Sequence, residues 1–390
     1  MKTLIELYDE RPLENVLSTE VFRPERTVYI CPGRVAESEK TRKKLKDYFR
    51  HRGVECELSF LAANMFSAES VLKQLKYAST RWEDCALDIT GGTDAALFAG
   101  GLLCAERDIP VFTYSRRKNS FFPIRGAAFA GSKPCEVQYS VEDCFIMAGG
   151  SMRRGRVDNA ILSRYLGVID PMFELYMAHR RDWNRIVSYM QRASYIPREG
   201  KAPLRVSCAY VLKGERGQRI EADESALRDM ERAGLIHGLS VDREDGVSFT
   251  FADEQIRAWL RDVGSVLELY VYKACIDTGL FQDVRTSAVV DWEGDNRQGN
   301  VTNEIDVMAC RGVTPLFISC KTCDVRTEAL NELAILRDRF GGGIARAAIV
   351  TAENGSAIMR RRAAELDINV IDLKDLRAGT IKDHIRALLK

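Results

Sequence analysis

Over its first 115 residues the chain alternates short apolar runs with amphipathic ones, and that alternation leaves few folds open. The strand-like runs are "TLIELY", "TVYICPG", "VECELSF", "CALDITGG" and "IPVFTYS". Between them lie helix-like segments such as "ESEKTRKKLKDYFRHRG", "SAESVLKQLKYAS" and "TDAALFAGGLLCAERD". Strands separated by helices of this length pair in parallel, which predicts a doubly wound α/β sheet. Ligands of such sheets bind beyond the carboxyl ends of the strands. Three loops fall there: Asp9–Pro12, Pro32–Arg34 and Gly91–Thr93.

The third loop, "DITGGT", follows an apolar run and opens a helix-like segment. Gly91 and Gly92 let backbone amides approach a ligand, and a helix N-terminus at Thr93 favours an anion. Thr90 and Thr93 are expected to add hydroxyl donors. The bland alternative, a tight turn capped by Thr, has equal weight on these residues alone. A dinucleotide site of the G-x-G-x-x-G kind is disfavoured, because no such motif follows a strand.

The last third carries charge where burial is expected. In "NEIDVMACRGVTPLFISCKT" (Asn303 to Thr322) two apolar runs flank a turn, Glu304 and Asp306 lie on the first, and Lys321 ends the second. Residues two apart on a strand face one side. Two buried carboxylates need a cation nearby. A hairpin would bring Glu304, Asp306 and Lys321 to one end of a sheet, with Glu268 of "SVLELYVY" in reach from a preceding helix. An oxygen-rich cluster suits a hard divalent cation, Mn²⁺ or Mg²⁺, and leaves the lysine to bind a charged transition state. A long helix over Glu254–Thr278 is predicted ahead of this mixed sheet, and a helix "RTEALNELAILRDRF" after it. An ordinary ion pair at a sheet edge is the competing reading of these residues.

Between these parts the pattern from about Arg153 to Ala193 is helical. "LRVSCAYVL" and "DESALRDMERAGLIHGLSVDREDGVSFTFAD" then read as strand, helix and hairpin, a small winged-helix-like unit. The expected organisation is 1–150, 151–253 and 254–390. Composition bounds the function further. A formal net charge of +1 excludes a global polyanion-binding surface, so any nucleic-acid site is local. No run is long enough to span a membrane, and the N-terminus lacks a signal-peptide layout. Eleven cysteines without a spacing pattern read as reduced cytoplasmic thiols. The lone CxxC at Cys320 and Cys323 lacks the further ligands a zinc site needs.

"LELYVY … NEIDVM … LFISCKT" resembles the PD-(D/E)XK nuclease core, and "CALDITGGTDAALFAGG" resembles the ligand loop of a CARF domain, the sensor of cyclic oligoadenylates. In this order and length the chain resembles the ancillary nucleases of type III CRISPR immunity: a Rossmann-like CARF domain followed by a restriction-endonuclease-like domain. The resemblance implies a homodimer, activated by cyclic tetra-adenylate, that cuts single-stranded DNA or RNA or nicks DNA with a metal. It assigns Asp306 as metal-binding aspartate, Lys321 as catalytic lysine, Glu268 as helix glutamate and the Cys320 carbonyl as a metal ligand.

Two positions depart from the family pattern. Ser319 stands where a carboxylate usually precedes the lysine by two. Either Glu304 or Glu268 supplies that carboxylate, the favoured reading, or the metal site is weak or inactive. Asp94 stands where a lysine often follows the sensor loop, so Arg11, Arg34 or Arg116 is expected to replace it, beside Asp9 and Gly33 in the neighbouring loops. Two alternatives share the architecture: a sensor that degrades its own ligand, and a regulator that binds DNA without cutting. "RAGLIH" (Arg232–His237) has the R-x4-H spacing of HEPN ribonucleases, but Gly234 interrupts the helix that would present both residues.

Overall fold

The computed structural model describes residues 1–131, 133–155, 157–194, 203–214 and 216–389. Strands β1 (Thr3–Leu7), β2 (Arg26–Cys31), β3 (Glu57–Ala62), β4 (Cys85–Asp88), β5 (Val111–Ser115) and β6 (Ser120–Arg125) form one sheet in the order β3-β2-β1-β4-β5-β6. The first five are parallel, and β6 closes the edge antiparallel to β5. This is the 3-2-1-4-5-6 order of the Rossmann-like doubly wound fold, with its switch point between β1 and β4. The loops after those two strands flank the switch point. Burial explains the strands: Leu4, Ile5, Val28, Ile30, Ala86 and Leu87 are all inside. Three elements give no clear periodic signal in the sequence: the turn of 3₁₀ helix Pro12–Asn15, the helix Leu17–Phe22, and β6.

The short strand β7 (Ser151–Arg153) does not stay with the first sheet. It pairs with the C-terminal sheet, where Arg153 Nε donates to the buried Asp291 carboxylate at 3.0 Å. The division at residue 150 therefore falls one residue before a strand of the third unit. The middle region holds helices Leu166–Ala178, Trp183–Ala193 and Glu224–Arg232. Its short strands are β8 (Arg205–Cys208), β9 (Val211–Lys213), β10 (Arg219–Glu221) and the hairpin β11 (Ile236–Asp242) with β12 (Gly246–Phe251). Helix Glu224–Arg232 is followed directly by the β11–β12 hairpin. "LRVSCAYVL" is two strands in two sheets rather than one. Gly234, at φ +71°, lies just beyond the helix that ends at Arg232, and His237 is on β11, so the R-x4-H pair shares no helix.

The C-terminal sheet runs β17-β16-β15-β14-β13-β7, with β13 (Asp283–Asp291), β14 (Thr302–Arg311), β15 (Thr314–Lys321), β16 (Arg346–Thr351) and β17 (Asn369–Ile371). β13, β14 and β15 are antiparallel; β16 and β17 continue parallel to β15. Helix Ser265–Asp277 covers one face, packing Val266, Leu267 and Val271 with Val307, Leu316 and Ile318. Helix Thr327–Gly341 covers the other, packing Leu330, Leu333 and Leu336 with Met308 and Phe317. The single helix expected over Glu254–Thr278 is two, Glu254–Leu260 and Ser265–Asp277. The break has a local cause: the Asp262 carboxylate accepts the backbone N–H groups of Gly264 (3.0 Å) and Ser265 (2.9 Å), ending one helix and starting the next. No described helix is long and apolar enough to cross a membrane. All eleven cysteines are free thiols.

Candidate active site and sensor loops

The β14–β15 ladder stops at Val307 and Ile318. Beyond that pair the strands splay, and the Asp306 side chain fills the gap. Its Oδ2 accepts from the Cys320 backbone N–H (2.6 Å), the Ser319 hydroxyl (3.1 Å) and Lys321 Nζ (3.3 Å). Among the described residues no donor addresses Oδ1. Cys320 N–H points toward β14, and the carbonyl of a strand residue points the same way as its N–H, so the Cys320 carbonyl faces this gap too. The neighbouring Lys321 carbonyl faces β16, where it accepts Ala352 N–H at 2.9 Å. One carboxylate oxygen and one carbonyl are thus directed at a place where the sheet has opened.

A cleft lies between the splayed strands and helix Thr327–Gly341. Glu304, Asp306, Ser319 and Lys321 line it from the sheet, and Glu332 and Leu333 from the helix. Lys321 is about one-third exposed. Burial works to lower its pKa, but Asp306 beside it, with a further contribution from Glu268, holds it above the ordinary lysine value. The ammonium therefore stays charged at neutral pH and serves as a donor, not a base.

Glu268 stands elsewhere than expected. It is buried in the first turn of helix Ser265–Asp277, on the opposite face of the sheet, against Gly264. Its charge still acts on Lys321 and Cys320. Glu304 shares the Asp306 side, and the Ser287 hydroxyl donates to it; Ser287, at φ +53°, interrupts β13 between the pairs Thr286–Val307 and Ala288–Ile305. Among the described residues, no three His, Cys, Asp or Glu side chains gather closely enough to hold a metal. The set Asp306, Glu304, Glu268 and Cys320 is therefore not a preassembled cage. The physical reason is placement: Glu268 belongs to the other face, and Lys321 is the cation that Asp306 already meets. Glu332 carried no sequence signal beyond being one acid in a helix of mixed charge.

At the switch point the loops after β1 and β4 meet and close on themselves. Gly92 N–H donates to Asp9 Oδ2 at 3.0 Å. Asp9 also accepts Arg11 N, Nε and Nη2 at 2.8 to 2.9 Å. Burial alone would raise the Asp9 pKa, but the bonds from Arg11 and Gly92 bring it below the ordinary aspartate range. A side chain at Gly91 would stand 3.0 Å from both Asp9 Cβ and the Leu7 carbonyl. Gly92 has φ +97°, and a Cβ there would meet Leu7 Cβ at 2.9 Å. The two glycines thus let the β1 and β4 loops touch.

The hydroxyl donors expected of Thr90 and Thr93 are spent inside the protein. Thr90 donates to Asp88 and accepts Tyr114 N–H at 2.8 Å. Thr93 donates to the Met65 carbonyl and accepts Ala96 N–H at 3.3 Å as the helix cap. Asp88 is fully buried and its pKa is pushed up to about 6 by burial, against bonds from Ser18 and Thr90. Glu6, its neighbour across the β1–β4 register, is also buried and raised by burial and by the Asp88 charge.

The arginines divide. Arg34, one residue into the short helix that Gly33 starts, is 69% exposed and pairs only with exposed Glu10 among the described residues. Arg11 and Arg116 both pair with buried Glu14. They also lie against Gly343 of the C-terminal unit, where a Cβ would be 3.1 Å from Arg116 Nη1 and 3.5 Å from Arg11 Cδ. Arg116 opens onto a cleft of about 570 Å³ between the two units, shared with Arg117, Lys118, Arg311 and Arg346.

Residues 254–390 match the model of the Card1-like endonuclease domain. Two solved structures align over nearly the whole chain. Protein VC1899 from Vibrio cholerae covers 98% of this chain and 96% of its own, at TM-score 0.73 and 17% identity. Can2 from Sulfobacillus thermosulfidooxidans, solved in complex with cyclic tetra-adenylate, covers 100% and 99%, at TM-score 0.70 and 13% identity. Likeness at these identities speaks to the fold. No curated protein matches the chain in sequence.

Proposed function

Because the chain has the architecture of the CRISPR ancillary nucleases, which join an N-terminal CARF sensor to a C-terminal PD-(D/E)XK domain, we propose that it is a metal-dependent endonuclease switched on by a cyclic oligoadenylate. The observation that carries this reading is the convergence of Asp306, Ser319, Cys320 N–H and Lys321 where the β14–β15 ladder ends. A mere edge ion pair does not need a strand pair to open into a cleft.

The donor set suits a hard divalent cation, Mn²⁺ or Mg²⁺: Asp306 Oδ1, which no donor addresses among the described residues, the Cys320 carbonyl and a further carboxylate of the cleft would hold it. Such an ion, when bound, activates water and offsets charge on a phosphate. The protein's own part is positioning and charge. Asp306 is fixed by three donors. Lys321, held protonated by Asp306 with help from Glu268, donates to a phosphate oxygen as negative charge builds on it. The substrate is single-stranded DNA or RNA, or a duplex that is nicked, docked on local basic surface because the net charge is near zero.

The activator is cyclic tetra-adenylate, bound over the β1–β4 switch point by Arg11, Arg34 and Arg116 rather than by the hydroxyls of the glycine loop. A four-fold ring shared by two identical subunits is satisfied by a two-fold dimer. Helix Asp94–Glu106 supports such a dimer: it is apolar almost all round and leaves Phe98 63% exposed, beside Leu97 and Leu102. The sensor would reach the nuclease through Gly343, which touches Arg11 and Arg116 just beyond the helix that forms one wall of the catalytic cleft. Free thiols agree with a cytoplasmic setting.

The test is cleavage of single-stranded DNA, supercoiled plasmid and RNA with Mn²⁺ or Mg²⁺, with and without cyclic tetra-adenylate. Metal-dependent, ligand-stimulated cutting is expected. Ligand loss without nucleic-acid cutting would favour a ring-degrading sensor, and duplex binding without cutting would favour a regulator.

A further inference from the structure

Ser319 leaves the cleft one carboxylate short of its family pattern, and the residue that faces this gap from across the cleft is Glu332. It sits on helix Thr327–Gly341, one position before the buried Leu333, and lines the cleft together with Asp306, Ser319 and Lys321. Its carboxylate is oriented by a short chain of contacts. Trp292 Nε1–H donates to Asn303 Oδ1 at 2.8 Å, which fixes which way the Asn303 amide points. The Asn303 Nδ2 group then donates to Glu332 Oε1 at 2.7 Å. Trp292 is itself held edge-on to Phe340 of the same helix, with ring centroids 5.4 Å apart. One oxygen of Glu332 is thus pinned by a partner of set orientation, the arrangement that commonly supports metal-binding carboxylates.

The other two candidates are less well placed. Glu268 rises from the opposite face of the sheet and does not line the cleft. Glu304 lines the cleft from the same strand as Asp306, and so does not approach from across it. A carboxylate at 319 would also have stood across the splayed strands from Asp306. With a serine there, Asp306 lines the cleft from the strand side and Glu332 from the helix side.

We propose that Glu332 supplies the carboxylate that Ser319 does not, acting with Asp306 as a ligand of the divalent cation in this cleft. The proposal rests on the nuclease reading, and the experiment separates the two. Mn²⁺ binding to the full-length protein is titrated by the loss of the free-ion electron paramagnetic resonance signal, and cleavage is measured in parallel. The variants are Glu332→Gln, Asp306→Ala, Ser319→Glu and the double variant Ser319→Glu with Glu332→Gln. In Glu332→Gln the side-chain amide oxygen can still accept from Asn303, so thermal unfolding should stay that of the parent. Glu332→Gln should weaken Mn²⁺ binding by about tenfold or more, within the range known for disturbed metal sites, and lower cleavage at limiting metal. Restoring the carboxylate at 319 in the double variant should recover both. If Glu332→Gln binds Mn²⁺ like the parent while Asp306→Ala does not, the assignment of Glu332 is wrong and the nuclease reading stands. If the parent binds no Mn²⁺, or Asp306→Ala cuts like the parent, the nuclease reading falls and the proposal with it.

Discussion

The two strand ends proposed as ligand site and active site are built in opposite ways. At the β1–β4 switch point every named polar group of the glycine loop is turned inward. Thr90 is bound to Asp88 and Tyr114, Thr93 to Met65 and Ala96, and Gly92 to Asp9. At the end of β14 and β15 the backbone ladder is given up, one carboxylate gathers three donors on a single oxygen, and a cleft opens in front of it. A closed loop holds its shape before a ligand arrives, and in the proposed reading the arginines at its rim do the binding. An open strand end keeps acceptors available for an ion and a phosphate. Equal-looking clusters of polar residues in a sequence can therefore be closed on themselves in one domain and open to a cleft in the other.

The largest effect should come from the open end. Lys321→Ala or Asp306→Ala should lower cleavage by at least about 10²-fold, as loss of a donor to a developing anion does, while affinity for cyclic tetra-adenylate is unchanged. Full cleavage by either variant would make the open end ordinary structure.

The link between the ends comes next. Gly343→Leu crowds Arg11 and Arg116 from the nuclease side without a backbone penalty, since no positive φ is required there. Ligand-stimulated cutting should drop several-fold and basal cutting should hold. Equal loss of both rates would show a folding defect instead of a broken coupling.

The closed end can be split into scaffold and rim. Arg34→Ala removes an exposed guanidinium whose present partner is exposed too, so stability should not change, yet ligand affinity should fall by about tenfold, the worth of one charge-assisted bond. Thr90→Val should do the reverse: about 1–3 kcal/mol less stability, for a buried acid and an amide left without their hydroxyl. Calorimetry with and without the ligand reads both. If Thr90→Val loses affinity at unchanged stability, the loop is a ligand site after all.

The smallest effect is one of pH. Asp88 has a pKa of about 6 in the folded chain against an ordinary value of 3.8, so the folded state holds its proton more tightly than the unfolded one. Its contribution to stability is full below about pH 3.8 and is lost as pH rises through about 6, a change of about 3 kcal/mol at most. Unfolding of the N-terminal unit should therefore become easier as pH rises from about 4 to about 6. Asp88→Asn keeps acceptors for Thr90 and should flatten that slope. An unaltered slope would assign it to Glu6 or to another group.

Much of this was legible in the residues. The period of the apolar runs determined the doubly wound first sheet, because parallel strands of that length need helical crossovers. The two-residue spacing of Glu304 and Asp306 put them on one face, because strand side chains alternate, and the apolar run ending in Lys321 placed the ammonium beside them. Tertiary structure alone decided the rest. The helix break at Asp262 and the capture of β7 by the far sheet depend on contacts remote in sequence or local turns with no periodic signature. Whether a threonine hydroxyl faces a ligand or a buried aspartate depends on what packs behind it, which no pattern at 90–93 records. Glu332 is one acid among several in its helix; it becomes a candidate ligand only when that helix is laid across the splayed ends of β14 and β15, because the distance between a helix and a strand end is set by the packed core and not by the spacing of letters along the chain.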